Sequence, residues 1–108
     1  MINPYHKLVR DKIPQIIKKR GGSVVTKKLN EEEYNYYLRL KLKEEVDELI
    51  KSTEKEKNID EIVDILDILD YIIKTENISD KTIKKIRTKK RTERGGFDKK
   101  IFLVLTEE

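Results

Sequence analysis

The run Ile59-Asp60-Glu61-Ile62-Val63-Asp64-Ile65-Leu66-Asp67-Ile68-Leu69-Asp70-Tyr71-Ile72-Ile73-Lys74-Thr75 decides how this chain folds. At 100° per residue, Ile62, Val63, Leu66, Leu69 and Ile73 fall on one face of a helix, while Ile65, Ile68 and Ile72 fall on a second. A strand would need period-two alternation, which this run lacks. Two apolar faces predict a helix buried on two sides. Glu61 and Asp64, three residues apart, extend the second face toward the N-terminal half, so both carboxylates are expected in a bundle interior.

Working outward, a charged turn over Thr53 to Asn58 separates this helix from a longer one upstream. Asn30, followed by Glu33 and an acidic first turn, marks the start of that second helix, which is predicted to reach Ser52. Its apolar stripe is Leu38, Leu42, Val46 and Leu49. Glu45 falls at the edge of the stripe, and Glu48 lies roughly 60° further round the same flank. Arg10 to Arg20 predicts a short first helix, with Pro14 in its first turn and Gly21-Gly22 as its stop. A fourth helix is predicted from the N-cap Ser79 to Gly95-Gly96, with Asn77 closing the third. The expected class is therefore all-α, a helical bundle in one domain over 1–108. Val24 to Leu29 and the unbroken apolar run within 100–106 are the two segments suited to a short β-hairpin, 24–29 against 100–106.

A chain of 108 residues has room for only a modest core, so oligomerisation is expected. Although 43% of the residues are charged, the apolar ones are grouped in periodic stripes, which separates this chain from a disordered one. The absence of cysteine excludes disulfides, thiolate metal sites and cysteine nucleophiles. With no apolar run near the ~20 residues that span a bilayer and no signal-like N-terminus, a soluble cytoplasmic protein is expected, with no membrane partner.

Charge is segregated along the chain. Residues 1–29 hold eight Lys/Arg against Asp11, residues 81–101 hold ten against Glu93 and Asp98, and residues 30–80 hold sixteen acids against seven bases. Such segregation suits carboxylates that hold a metal and cations that receive an anionic substrate, although mutual neutralisation of the segments would produce it as well. Burying carboxylates without partners costs several kcal/mol each, on the order of a lost ion pair. Glu45, Glu48, Glu61 and Asp64, offered by two antiparallel helices, are the candidate ligands of one Mg²⁺ site, with Mn²⁺ an acceptable substitute. The alternative is that these acids are solvated residues of a charge-rich chain.

The sequence Glu44-Glu45-Val46-Asp47-Glu48, twelve intervening residues, then Glu61-Ile62-Val63-Asp64 resembles the EExxE…ExxD signature of the MazG-like nucleotide pyrophosphohydrolases. Tyr5-His6-Lys7-Leu8-Val9-Arg10-Asp11-Lys12-Ile13-Pro14 and Arg94-Gly95-Gly96-Phe97 are similar to a subgroup labelled phosphoribosyl-ATP pyrophosphohydrolase-like. The resemblance covers nearly the whole chain; Asp67 stands where relatives often carry Glu, and Arg91 where a small residue is common.

The resemblance implies an all-α fold assembled as a homodimer or homotetramer, and house-cleaning hydrolysis of nucleoside triphosphates, non-canonical ones included, to monophosphate and pyrophosphate. It also implies that Glu45, Glu48, Glu61 and Asp64 ligate the metal, with Glu44 supporting the site or positioning water and Glu45 sharing in catalysis. Lys7, Arg10, Lys12, Lys90 and Arg94 are the cations suited to phosphate oxygens. Tyr34, Tyr36 and Tyr37 suit base stacking or helix packing equally.

Phosphoribosyl-ATP is an alternative substrate. A different class of reading is a basic helical module that binds nucleic acid or protein, prompted by Lys84, Lys85, Arg87, Lys89, Lys90, Arg91 and Arg94. The basic residues of that helix have no interleaved aromatics and the chain's centre is acidic, so nucleic acid is the weaker partner.

Overall fold

The computed structural model describes residue 2 and residues 4–108. The described residues form four helices: α1 (Ile13–Lys19), α2 (Glu31–Lys51), α3 (Lys55–Thr75) and α4 (Asp80–Arg94). The chain divides into two compact units, Met1–Glu76 and Asn77–Glu108.

In the first unit, α1 carries Pro14 in its first turn, where a missing N–H costs nothing, and Gly21 leaves the helix at φ 87°. Gly22 folds back on the helix end, so closely that a Cβ there would meet Ile17 Cγ2 at 2.7 Å. An extended stretch then leads to Asn30, whose Oδ1 accepts from Glu33 N at 2.8 Å while Asn30 N donates to Glu33 Oε1 at 3.2 Å. This reciprocal cap starts α2 where the sequence places it.

Only Ser52 to Glu54 separate α2 from α3, and the two helices pack on each other. At ~1.5 Å per residue each is ~32 Å long, so so short a connection enforces antiparallel packing. α3 begins at Lys55, one turn earlier than the expected Ile59, since Asn58 N already donates to Glu54 O at 2.9 Å. Lys55, Glu56 and Lys57 are good helix formers, so the charged stretch continues the helix instead of interrupting it.

The inner seam of the pair contains Leu38, 3% exposed, and Ile68, 8% exposed, with Leu42, Val46, Leu49, Ile65 and Ile72 half-buried along it. The expectation of burial on two sides of α3 holds for one side only. Ile59, Ile62, Val63, Leu66 and Leu69, between 38% and 57% exposed, lie open. Seven-residue α1 is too short to cover a second 21-residue face.

In the second unit, Ser79 Oγ accepts from Thr82 N at 3.1 Å and caps α4, and Gly95 at φ 81° ends it. Asn77, at φ 55°, takes the left-handed position just after α3.

The expected hairpin is absent: neither 24–29 nor 100–106 forms a strand among the described residues. Ile101 to Leu105 are 72–86% exposed. An unbroken apolar run has no alternation to define a buried face, and therefore nothing to select a pairing register. No helix among the described residues is long and apolar enough to cross a membrane.

Leu38 closes the α2–α3 seam, so Leu38→Ala is expected to destabilise the chain by about 2–5 kcal/mol in urea unfolding, with the helical signal of the remaining folded fraction preserved.

Candidate metal centre

The seam that buries Leu38 and Ile68 also carries acids inward. One turn after Leu42 on α2 comes Glu45, 6% exposed, the buried charged residue among those described. From α3, Glu61 and Asp64 occupy the turns ahead of Ile65 and Ile68. Glu45, Glu61 and Asp64 each present a carboxylate oxygen, and these atoms all lie within 4.8 Å of one another. Glu61 Oε2 is buried with no hydrogen-bond partner. Lys41 Nζ stands 3.9 Å from Glu45 Oε1, beyond hydrogen-bonding reach.

Glu48 is more exposed and sits at the margin of this group. Its carboxyl is held above the usual range by its closeness to the Glu61 carboxyl, by loss of hydration, and by the negative charges of Glu61 and Glu44. The Glu61 carboxyl is raised as well, chiefly by the adjacent Glu45 carboxyl and by loss of hydration, with the charges of Glu45 and Asp64 adding to the effect and Glu48 opposing it. Three acids from two helices thus converge, and Glu48, the fourth expected ligand, is exposed and lies outside the group.

Cations arrive from the segment ahead of α1. Lys7 Nζ donates to Glu44 Oε1 at 2.9 Å and lies 5.5 Å from the Tyr5 ring centroid. Arg10 donates from one terminal nitrogen to Asp64 Oδ1 at 2.7 Å and from the other to Asp67 Oδ2 at 2.8 Å. Sequence reasoning places Arg10 on substrate phosphate; the structure places it on two carboxylates of α3. Asp67 was not singled out as a site residue. Its spacing, three residues after Asp64 and six after Glu61, was the available signal.

Lys12 is exposed at the start of α1. Lys90 and Arg94 are exposed on α4, in the second unit. Beside Glu44 and Glu48 runs an open groove of about 400 Å³, also lined by Lys7, Lys43 and Lys51. Of the tyrosines, Tyr36 and Tyr37 meet edge to face at 5.3 Å between centroids, Tyr36 is exposed, and Tyr34 is half-buried.

Chemically, a set of three hard oxygens within 4.8 Å fits a small divalent cation. Oxygens opposite each other on Mg²⁺ are about 4.2 Å apart, and neighbouring ones about 2.9 Å. No protein-family model, curated protein or solved structure matches this chain.

In metal-free protein, Glu48 and Glu61 bind protons more tightly folded than unfolded. Their contribution therefore favours the fold below the ordinary carboxylate value of 4.5 and is lost as pH rises through their raised values. In EDTA, melting temperature is expected to fall as pH rises above the ordinary carboxylate value of 4.5, more steeply for the natural chain than for Glu61→Gln. Parallel curves for the two proteins would show that the crowding has no energetic weight.

Proposed function

We propose that this chain is a Mg²⁺-dependent nucleoside triphosphate pyrophosphohydrolase built as a MazG-like helical bundle, releasing pyrophosphate and a nucleoside monophosphate. The observation that carries this reading is the convergence of buried Glu45 with Glu61 and Asp64, within 4.8 Å, where Glu61 Oε2 has no hydrogen-bond donor. Charges so placed call for a cation, and the donor set is oxygen only.

Glu45, Glu48, Glu61 and Asp64 would hold the ion. When bound, it neutralises phosphate oxygens and acidifies a coordinated water. In hydrolysis a water oxygen bonds to the α-phosphorus, the bond from that phosphorus to the α–β bridging oxygen breaks, and pyrophosphate leaves with the bond's electron pair. The water's proton passes to a neighbouring carboxylate, the role this reading gives to Glu44 and Glu45. Glu44 is oriented by Lys7, whose own ammonium is stabilised by that contact. Lys7 carries positive charge beside Glu44 and, together with Lys12, suits the outer phosphates. The groove along Glu44 and Glu48, bordered by Lys43 and Lys51, has room for a polyphosphate.

The same reading takes the open face of α3 as a contact between copies in a homodimer or homotetramer. Ile59, Ile62, Val63, Leu66 and Leu69 form a continuous apolar strip that a lone chain would leave in water.

Pyrophosphate release should be followed over common, modified and phosphoribosylated triphosphates. Release is expected with Mg²⁺ and not with EDTA, and Glu61→Gln should reduce it by at least about 100-fold, since even supporting contacts around a metal contribute about 10–100-fold. An all-negative panel would exclude this function and its phosphoribosyl-ATP variant alike. Leu66→Asp is expected to lower the mass measured by light scattering to that of a smaller species; a natural chain that is already monomeric would refute the assembly.

A further inference from the structure

Arg10 stands just ahead of α1, where its carbonyl accepts from Ile13 N at 3.0 Å. That bond fixes the residue's backbone at a turn, so its side chain crosses to α3 from an anchored origin. There it meets two carboxylates at i and i+3, one for each terminal nitrogen, at 2.7 Å and 2.8 Å. Arg10 engages only Oδ1 of Asp64 and only Oδ2 of Asp67, so each acid keeps an oxygen that Arg10 does not use.

This geometry is poorly suited to holding phosphate. Both terminal nitrogens already face anions, and the two carboxylates offset the positive charge that would attract a phosphate. It is well suited to setting a rotamer. A planar fork that donates in two fixed directions defines the angle of each acceptor, which a single ammonium on a flexible stem does not. Glu61, Asp64 and Asp67 lie along one stripe of α3 at successive three-residue steps, where like charges repel. Left alone, Asp64 would swing away from Glu61 and Glu45 toward water. The guanidinium instead holds it in the position where the three oxygens gather.

We infer that Arg10 is a positioning residue: forked between Asp64 and Asp67, it sets the orientation in which Asp64 offers its other oxygen to the divalent cation. This rests on the metal-site reading proposed above. Asp67 is then the second anchor of the fork and need not touch the ion. Contacts of this kind orient ligands around metals, and their loss weakens metal affinity about 10–100-fold.

Calorimetric titration with Mn²⁺ alone, without nucleotide, tests the assignment on the natural chain, Arg10→Lys and Asp67→Asn. Arg10→Lys keeps the charge and removes the fork, and is expected to weaken Mn²⁺ binding about tenfold or more. Asp67→Asn removes a charge but keeps an acceptor oxygen for the fork, and is expected to stay within about threefold, the range of a surface charge effect. Unchanged or tighter binding by Arg10→Lys overturns the inference, as does an equal loss in both variants, which would make charge the cause. Thermal melting of each variant identifies one that fails to fold, and Asp67→Asn, the milder change, then decides alone: a loss of tenfold or more overturns the inference, and near-natural affinity supports it.

Turnover adds an independent readout. For Arg10→Lys, raising Mg²⁺ should restore the rate with nucleotide KM unchanged at saturating metal. A KM rise that persists there assigns Arg10 to phosphate and overturns the inference. If the natural chain binds no Mn²⁺, the metal-site reading itself falls, an outcome distinct from a natural chain that binds and a variant that binds equally well.

Discussion

Carboxylates crowded between α2 and α3, with too few cations among them, are the constraint on which the rest of this structure depends. Glu45 is buried, Glu61 has an oxygen without a donor, and Asp64 is drawn into the same small volume. Lys41 stays 3.9 Å from Glu45, Lys7 is engaged on Glu44, and Arg10 reaches Asp64 from the outer side. Crowding like charges opposes folding, and Glu48 and Glu61 respond by holding protons above the usual carboxylate range. Sites that break the rule of satisfied burial are where function is expected.

The packing that stabilises the helix pair is also what creates this conflict. Leu38, Leu42 and Leu49 on α2 and Ile65, Ile68 and Ile72 on α3 must leave water, and only one relative rotation of the helices achieves that. Glu45 lies within the first stripe, while Glu61 and Asp64 prolong the second. Hydrophobic burial therefore aims the acids at one another. The connection of Ser52 to Glu54 holds the register of the pair, so the acids meet at one level along it.

Outside the seam, the chain leaves much apolar surface in water. The strip on α3 from Ile59 to Leu69 and the run Ile101 to Leu105 are both exposed. A strip of that kind on a regular helix is a ready surface for a neighbouring helix, since ridges of side chains at three- and four-residue spacing interlock with those of a partner. The carboxy-terminal run has no such scaffold beneath it and no ladder beside it.

Local chemistry made much of the fold legible in the sequence. The capping box at Asn30 and Glu33, Ser79 at the start of α4, and the glycines after α1 and α4 act within a few residues, so their effect needs no knowledge of the rest of the chain. The 3.6-residue period likewise put Glu45, Glu61 and Asp64 on apolar faces. The start of α3 was misplaced because Lys, Glu and Asn carry no periodic signal, and the hairpin was misjudged because apolarity does not by itself provide a partner. What tertiary structure alone decided was contact between residues far apart in sequence: which face of α3 is covered, that Glu45 meets Glu61 and Asp64, and that Arg10 lies on Asp64 and Asp67 instead of standing free. A side chain's periodicity determines the direction in which it points, but its partner depends on how the helices rotate and close on each other, and that is settled by the packing of the whole unit.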